Sequence, residues 1–147
     1  NLKFKNLMFQ PKNTKFKKYQ RRTKKNFSPI FRQSLPGNFS IIATTPGHLR
    51  SKEFEVFQKI AIKKLKKSIN LRFSIFPQHT VSKRSPNTTL GGSKGATDYF
   101  VARVVPGAVI CNVQPTQTDP TFLRTALSEI KKAASKLSVD TIIIYSL

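Results

Sequence analysis

The 147-residue sequence predicts an α+β fold, a two-layer sandwich of a mixed or antiparallel sheet with two main helices. An extended basic N-terminal arm precedes it. Three observations carry that prediction. Two segments repeat apolar residues at steps of three and four, the helical period. Several short β-rich runs are bounded by proline or glycine. Over residues 1–32 neither helical nor strand period is sustained. The expected division is an arm over residues 1–46 and a single domain over 47–147 with a long loop at 77–98. The length suits one modest core.

The arm comes first. Residues 1–32 hold 11 Lys or Arg, and no acid occurs before Glu53. Phe4, Phe9, Phe16 and Tyr19 interleave with the basic residues, offering stacking or packing anchors between backbone-binding cations. A solvated tail and a basic, acid-poor transit peptide are the plainer readings of the same segment.

The first helix is expected to begin near Ser51, a good N-cap, with Glu53 and Glu55 facing the positive end of the helix dipole. Phe54, Phe57, Ala61, Leu65 and Ile69 make its core stripe. Lys52, Lys59, Lys63, Lys66 and Lys67 fall largely opposite. A solvated helix face usually alternates charge sign to gain pairing between turns. This one has no acid beyond Glu55, which favours a phosphate-facing surface.

Leu71–Phe76 alternates at first and stops at Pro77, so it reads as a strand. Tyr99–Val105 and Ala108–Val113 read as strands joined through Pro106-Gly107 in a hairpin-like connection. The second helix starts at Asp119-Pro120, a capping residue followed by a proline whose missing N–H costs nothing there. Its stripe is Leu123, Ala126, Leu127, Ile130, Ala133, Ala134 and Leu137. Lys131, Lys132 and Lys136 suit the negative dipole end, so this helix is expected mainly to pack the core. Thr141–Tyr145 reads as a last buried strand.

The charge balance points to partners. With 27 Lys or Arg against 6 Asp or Glu, the net charge is +21 at pH 7. An excess of this size repels itself and calls for a polyanion, nucleic acid first and an anionic membrane surface second. It is unevenly spread: residues 1–72 carry 19 basic and 2 acidic side chains, residues 73–147 carry 8 and 4.

Several chemistries fall away. One cysteine, Cys111, cannot form an internal disulfide, and the distant His48 and His79 complete no zinc ligand set. No apolar run approaches the roughly 20 residues of a membrane-spanning helix. Glu53 and Glu55 sit on a basic helix, and Asp98, Asp119, Glu129 and Asp140 are scattered. A paired-carboxylate enzyme is not indicated, and no cofactor is.

The loop at 77–98 contains Lys83, Arg84, Pro86 and Gly91-Gly92-Ser93-Lys94-Gly95. Its glycines would let the backbone approach a ligand closely, and its amides with Lys94 suit a phosphate. It lacks the spacing of a nucleotide-binding P-loop, and a plain loop is the alternative.

In this order the motifs resemble the bacterial-type large-subunit ribosomal protein L-sixteen family. Met8-Phe9-Gln10-Pro11-Lys12-Asn13-Thr14-Lys15-Phe16-Lys17-Lys18 is similar to the family's start, with Asn13 where arginine is usual. Gly47-His48-Leu49 then Ser51 resembles the lead-in to its first long helix. Arg72-Phe73-Ser74-Ile75-Phe76-Pro77 resembles its strand ending in Phe-Pro. Leu90 to Gly95, Tyr99-Phe100-Val101-Ala102 and Pro106-Gly107 resemble its Gly-Lys-rich loop and the hairpin after it. Ala133-Ala134-Ser135-Lys136-Leu137 closes a segment similar to its final helix. Thr89 stands where the family commonly has arginine, Gly92-Ser93 replace a usual Lys-Gly pair, and Phe73 and Phe100 fill regions where tryptophan is frequent.

The resemblance implies a ribosomal structural protein without catalytic residues or cofactor. It would bind large-subunit rRNA near the central protuberance and A-site region, with neighbouring large-subunit ribosomal proteins, no membrane and no homo-oligomer. The rRNA-binding candidates are Lys12, Lys15, Lys17, Lys18, Arg21, Arg22, Lys59, Lys63, Lys66, Lys67 and Arg72. The resemblance also implies a loop approaching tRNA in the A and P sites near the peptidyl transferase centre: Thr89, Leu90, Gly91, Gly92, Ser93, Lys94 and Gly95. Because it begins at Met8, the arm is expected to belong to the mature protein. The sequence has 19 Lys against 8 Arg, 12 Phe and no Trp, a bias expected of A- and T-rich codons. That bias, with the departures above, points to a mitochondrial ribosome, ahead of a bacterial or plastid one. A free-standing RNA-binding or RNA-chaperone module is the alternative function.

Overall fold

A computed structural model describes residues 9–20, 39–65, 68–87, 91 and 94–145. Within them the elements run β1 (Phe39–Ala43), β2 (Gly47–Arg50), α1 (Ser51–Leu65), β3 (Ile69–Phe73), β4 (His79–Lys83), β5 (Ala96–Val104), β6 (Val109–Pro115), α2 (Pro120–Ala134) and β7 (Thr141–Tyr145). The strands form two sheets, ordered β3-β6-β1-β7 and β2-β5-β4. Every pairing in them is antiparallel. The α+β class is as expected, with the strands divided between two sheets.

The helices form where the apolar period says they should. Phe54, Phe57, Ala61 and Leu65 are buried on α1, and Ala126, Ile130, Ala133 and Ala134 on α2. The two helices pack on each other, and α1 also packs against β2, β3 and β5. The core they share includes Ile41, Ile110, Cys111 and Val113 from the central strands. Burial pushes the Cys111 thiol well above its ordinary value, against a smaller opposing pull from the Arg72 backbone. It therefore stays a neutral core thiol and is no nucleophile.

Between the helices lies one buried carboxylate. Glu129 of α2 accepts hydrogen bonds at 2.9 Å from Lys64 of α1 and Lys132 of α2. Those bonds, Lys132 first and then Lys64, hold its carboxyl below the ordinary range. A second link joins Ser138, which follows α2, to the first turn of α1. Its N–H and hydroxyl both donate to Glu53, at 3.0 and 2.9 Å.

Several expectations need correction. Phe39–Ala43, assigned to the arm, is β1, flanked in its sheet by β6 and β7. It is buried throughout, so it shows none of the alternation by which a half-buried strand is read. The strand expected at 71–76 begins two residues earlier, because Ile69 opens β3 rather than extending the stripe of α1. The loop expected at 77–98 is shorter, since His79–Lys83 is β4 and β5 begins at Ala96. Pro106-Gly107 does not close a hairpin. It carries the chain from one sheet to the other, with Gly107 at a φ of 81° and its N–H donating to Ala43 of β1. Asp119 holds the N-cap position of α2 without a side-chain cap bond. β7 is a partly exposed edge strand rather than a buried one.

Candidate nucleic-acid interface

Strand alternation and register assemble a surface that no short motif encodes. In the three-stranded sheet His48 pairs with Arg103, and Arg50 pairs with Val101, which in turn pairs with His79. Tyr99 pairs with Val81. Directly paired residues share a face, and side chains two apart share it too. Leu49 and Ala102 go to the opposite, buried face with α1. The outward face is thus left with Arg50, Arg103, His48, His79 and Tyr99. Arg50 lies over the Tyr99 ring, 5.1 Å from its centroid. These residues line a cavity of about 210 Å³.

The arm docks against that sheet. Phe9 is only 4% exposed and meets the rings of Phe54 and Phe73 at centroid distances of 5.5 and 5.1 Å. Further along, the carbonyl of Lys17 accepts from the hydroxyls of Thr80 on β4 and Thr97 on β5, at 2.9 and 3.1 Å. Lys94 donates to the carbonyl of Tyr19 and Arg103 to that of Gln20. Lys18 donates back to the carbonyl of Lys94. Tyr19 sets its ring edge-on to His79 at 4.8 Å. The arm over 9–20 therefore runs from the α1–β3 side of the core to the β4–β5 hairpin. Its backbone is held by side chains, which turns its own exposed cations outward.

The candidate residues separate into groups. Lys12, Lys15, Lys17 and Lys18 are exposed on the docked arm. Lys59 and Lys63 are exposed on α1 with Lys52, and spacings of seven and four put all three on one helical line. Lys64, one residue on, is rotated towards α2 and pairs with Glu129. Arg72 is exposed on β3, the edge of the other sheet, away from the arm's hairpin contacts. Lys94 is brought together with Lys18, whereas Gly91 is exposed without a described contact. Gly95 has a structural reason for its identity: a Cβ there would collide with the Lys83 carbonyl across the hairpin. Arg21, Arg22, Lys66, Lys67, Thr89, Leu90, Gly92 and Ser93 lie outside the described residues.

Sequence reasoning missed Arg50, Arg103, Tyr99 and the wall formed by Tyr19. Each stands singly among apolar or polar neighbours, and only the register of β2 on β5 joins them. Among the described residues no cluster of His, Cys, Asp and Glu could hold a metal. Nor is any helix among them long and apolar enough to cross a membrane.

The ribosomal protein L16p/L10e family profile matches residues 11–144, nearly the whole chain. The chain belongs to that family. It is 32% identical over 134 residues to the large ribosomal subunit protein uL16c of Phaeodactylum tricornutum, covering 91% of this chain and 94% of that one. The uL16c of Euglena longa is 32% identical over 140 residues, 94% and 98% of the two chains. The bacterial uL16 of Xylella fastidiosa is 28% identical over 134 residues, 91% and 94% of the two chains. Organellar and bacterial relatives together mark this L16 chain as a protein of the organellar or bacterial type of ribosome, a structural component rather than an enzyme. Family membership also accounts for the excess of cations over acids, since a ribosomal protein is neutralised by RNA phosphate.

Proposed function

We propose that this chain is built into the large ribosomal subunit and grips rRNA near the central protuberance and A-site region with its arm and the outer line of α1. The observation that carries this reading is the docked arm. Side-chain donors from β4 and β5 take up its backbone carbonyls, so Lys12, Lys15 and Lys17 stand exposed and away from any described carboxylate. Lys59 and Lys63 add exposed cations outside any described ion pair on α1. Arg72, Arg21, Arg22, Lys66 and Lys67 belong to the same proposed rRNA surface.

The loop from Thr89 to Gly95 is proposed to approach tRNA in the A and P sites. In sequence it joins β4 to β5, and its described residue Lys94 is tied to Lys18 and Tyr19 of the arm. With Thr89 in place of the family's usual arginine, the tRNA-side contacts are proposed to be weaker or taken over by another component. The ribosome proposed is mitochondrial, on the lysine- and phenylalanine-rich composition.

Sedimentation tests the reading. The chain should travel with large subunits through sucrose at moderate salt and leave them at high salt. Each phosphate contact should steepen the fall of log affinity with log salt by roughly 0.7 to 0.9. Association indifferent to salt would overturn the electrostatic account, and a chain that stays monomeric beside intact subunits would favour a free-standing RNA-binding module.

A further inference from the structure

We propose that the cavity on the outer face of the β2-β5-β4 sheet is a nucleotide subsite, in which one unstacked RNA residue rests on the Arg50–Tyr99 layer with its phosphate against Arg103 and Lys94. This deepens the rRNA-binding reading and rests on it, since it names the chemical unit that a part of the surface outside the arm and α1 takes.

The chemistry of the walls selects the ligand. Among the residues lining the cavity are two arginines, a lysine, two histidines and two tyrosines, and none is a carboxylate. Its volume of about 210 Å³ is below the roughly 300–1,000 Å³ of pockets that enclose a whole small molecule. A cavity of that size takes a base without enclosing the whole nucleotide, which suits a unit held in a polymer with its sugar and phosphate towards the opening. Arg50 over Tyr99 at 5.1 Å presents a planar cationic layer, and unstacked bases settle on aromatic rings or guanidinium planes. Arg103 and Lys94 already donate to the Gln20 and Tyr19 carbonyls, so their charges are held at the rim. An arginine has five N–H donors, which leaves capacity for a phosphate after one carbonyl bond. Tyr19, set edge-on against His79, makes the arm itself one wall. The subsite is therefore complete only when the arm is docked.

Tyrosine emission reads this directly. The chain has no Trp and three Tyr, two of which line the cavity. The experiment titrates the full chain carrying Tyr145→Phe with a single-stranded RNA hexamer and follows both affinity and tyrosine quenching. Quenching is expected on binding. Arg50→Gln should abolish most of it and weaken affinity by roughly fivefold or more, the loss of one stacked base. Tyr99→Leu should do the same with both arginines retained, and Arg50→Lys should restore the salt slope without the quenching. Lys59→Gln with Lys63→Gln should lower affinity and leave the quenching intact. Binding that depends on Lys59 and Lys63 but shows no quenching, or quenching indifferent to Arg50 and Tyr99, overturns the subsite and leaves the rRNA reading standing. Binding indifferent to these four positions and also to Lys12→Gln with Lys15→Gln and Lys17→Gln overturns both. Equal quenching by a glutamate hexapeptide would also overturn the subsite, since the site would then take any anion.

Discussion

The two helices have the same length, 15 residues, and each carries a lysine pair in its last turn. In each pair one member reaches Glu129 and the other stays exposed. They differ in what the rest of the outer side carries. On α2, Lys132 is paired with Glu129 in the next turn back, and the same carboxylate takes Lys64 from α1. On α1, Lys52, Lys59 and Lys63 line up on the outer side and take part in no described ion pair. A lysine run therefore says little by itself. What matters is the rotation of about 100° between Lys63 and Lys64, which sends one outward and the other to an ion pair. The first helix adds Lys52 and Lys59 to the exposed line of Lys63, whereas the second carries the carboxylate that takes one lysine from each helix.

The largest effect is expected where α1 meets the core. Phe54 is fully buried and shares ring contacts with Phe9 and Phe73. Phe54→Ala should cost about 3–5 kcal/mol in urea unfolding, the scale for a large aromatic removed from a packed site. The substitution should also loosen the arm through Phe9, seen as faster proteolysis in the segment before residue 21.

A middle effect separates the two outer surfaces. Lys59→Gln with Lys63→Gln should leave unfolding midpoints unchanged and lower the salt slope of RNA binding by roughly 0.7 to 0.9 for each phosphate no longer neutralised. Lys131→Gln with Lys136→Gln on the α2 side should leave that slope alone. Equal changes from both pairs would erase the contrast between the helices.

The smallest effect is the acid response of Glu129. Its folded-state value lies below the ordinary 4.5, so its ion pairs add stability above that pH. The contribution disappears as pH falls through the folded value. Across the acid range below that ordinary value the native chain should lose more stability than Glu129→Gln, measured by thermal melts at each pH. Parallel curves would mean that the bridge adds nothing.

The legible parts of the fold are those with a local period. The stripe Phe54, Phe57, Ala61 and Leu65 marks α1, and the charge opposite it is plain because lysine has no apolar alternative on that face. β1 is hidden because Phe39-Ser40-Ile41-Ile42-Ala43 is buried throughout, with Ser40 satisfied at 2.9 Å by Asn112 in the next strand. β2 has four residues and β4 is mostly polar, both too weak to signal a strand alone. Of the candidate interface, the basic arm can be read directly, since its cations are closely spaced along the chain. The Arg50–Tyr99–Arg103 face cannot, because it exists only through the register of β2 on β5, fixed by long-range pairing. Nor can the depth of the arm's attachment be read. In the sequence Phe9 is one aromatic among several, and its burial depends on a gap between α1 and β3 that no local pattern describes.

Lysine acetylation read by mass spectrometry, on the free chain and on the chain within large subunits, tests the central claim most directly. Lys12, Lys15, Lys17, Lys59 and Lys63 should react readily in the free chain and be strongly protected in the subunit, while Lys131 and Lys136 keep their reactivity. Protection confined to the α2 lysines, or unchanged reactivity along the arm and α1, would contradict the account.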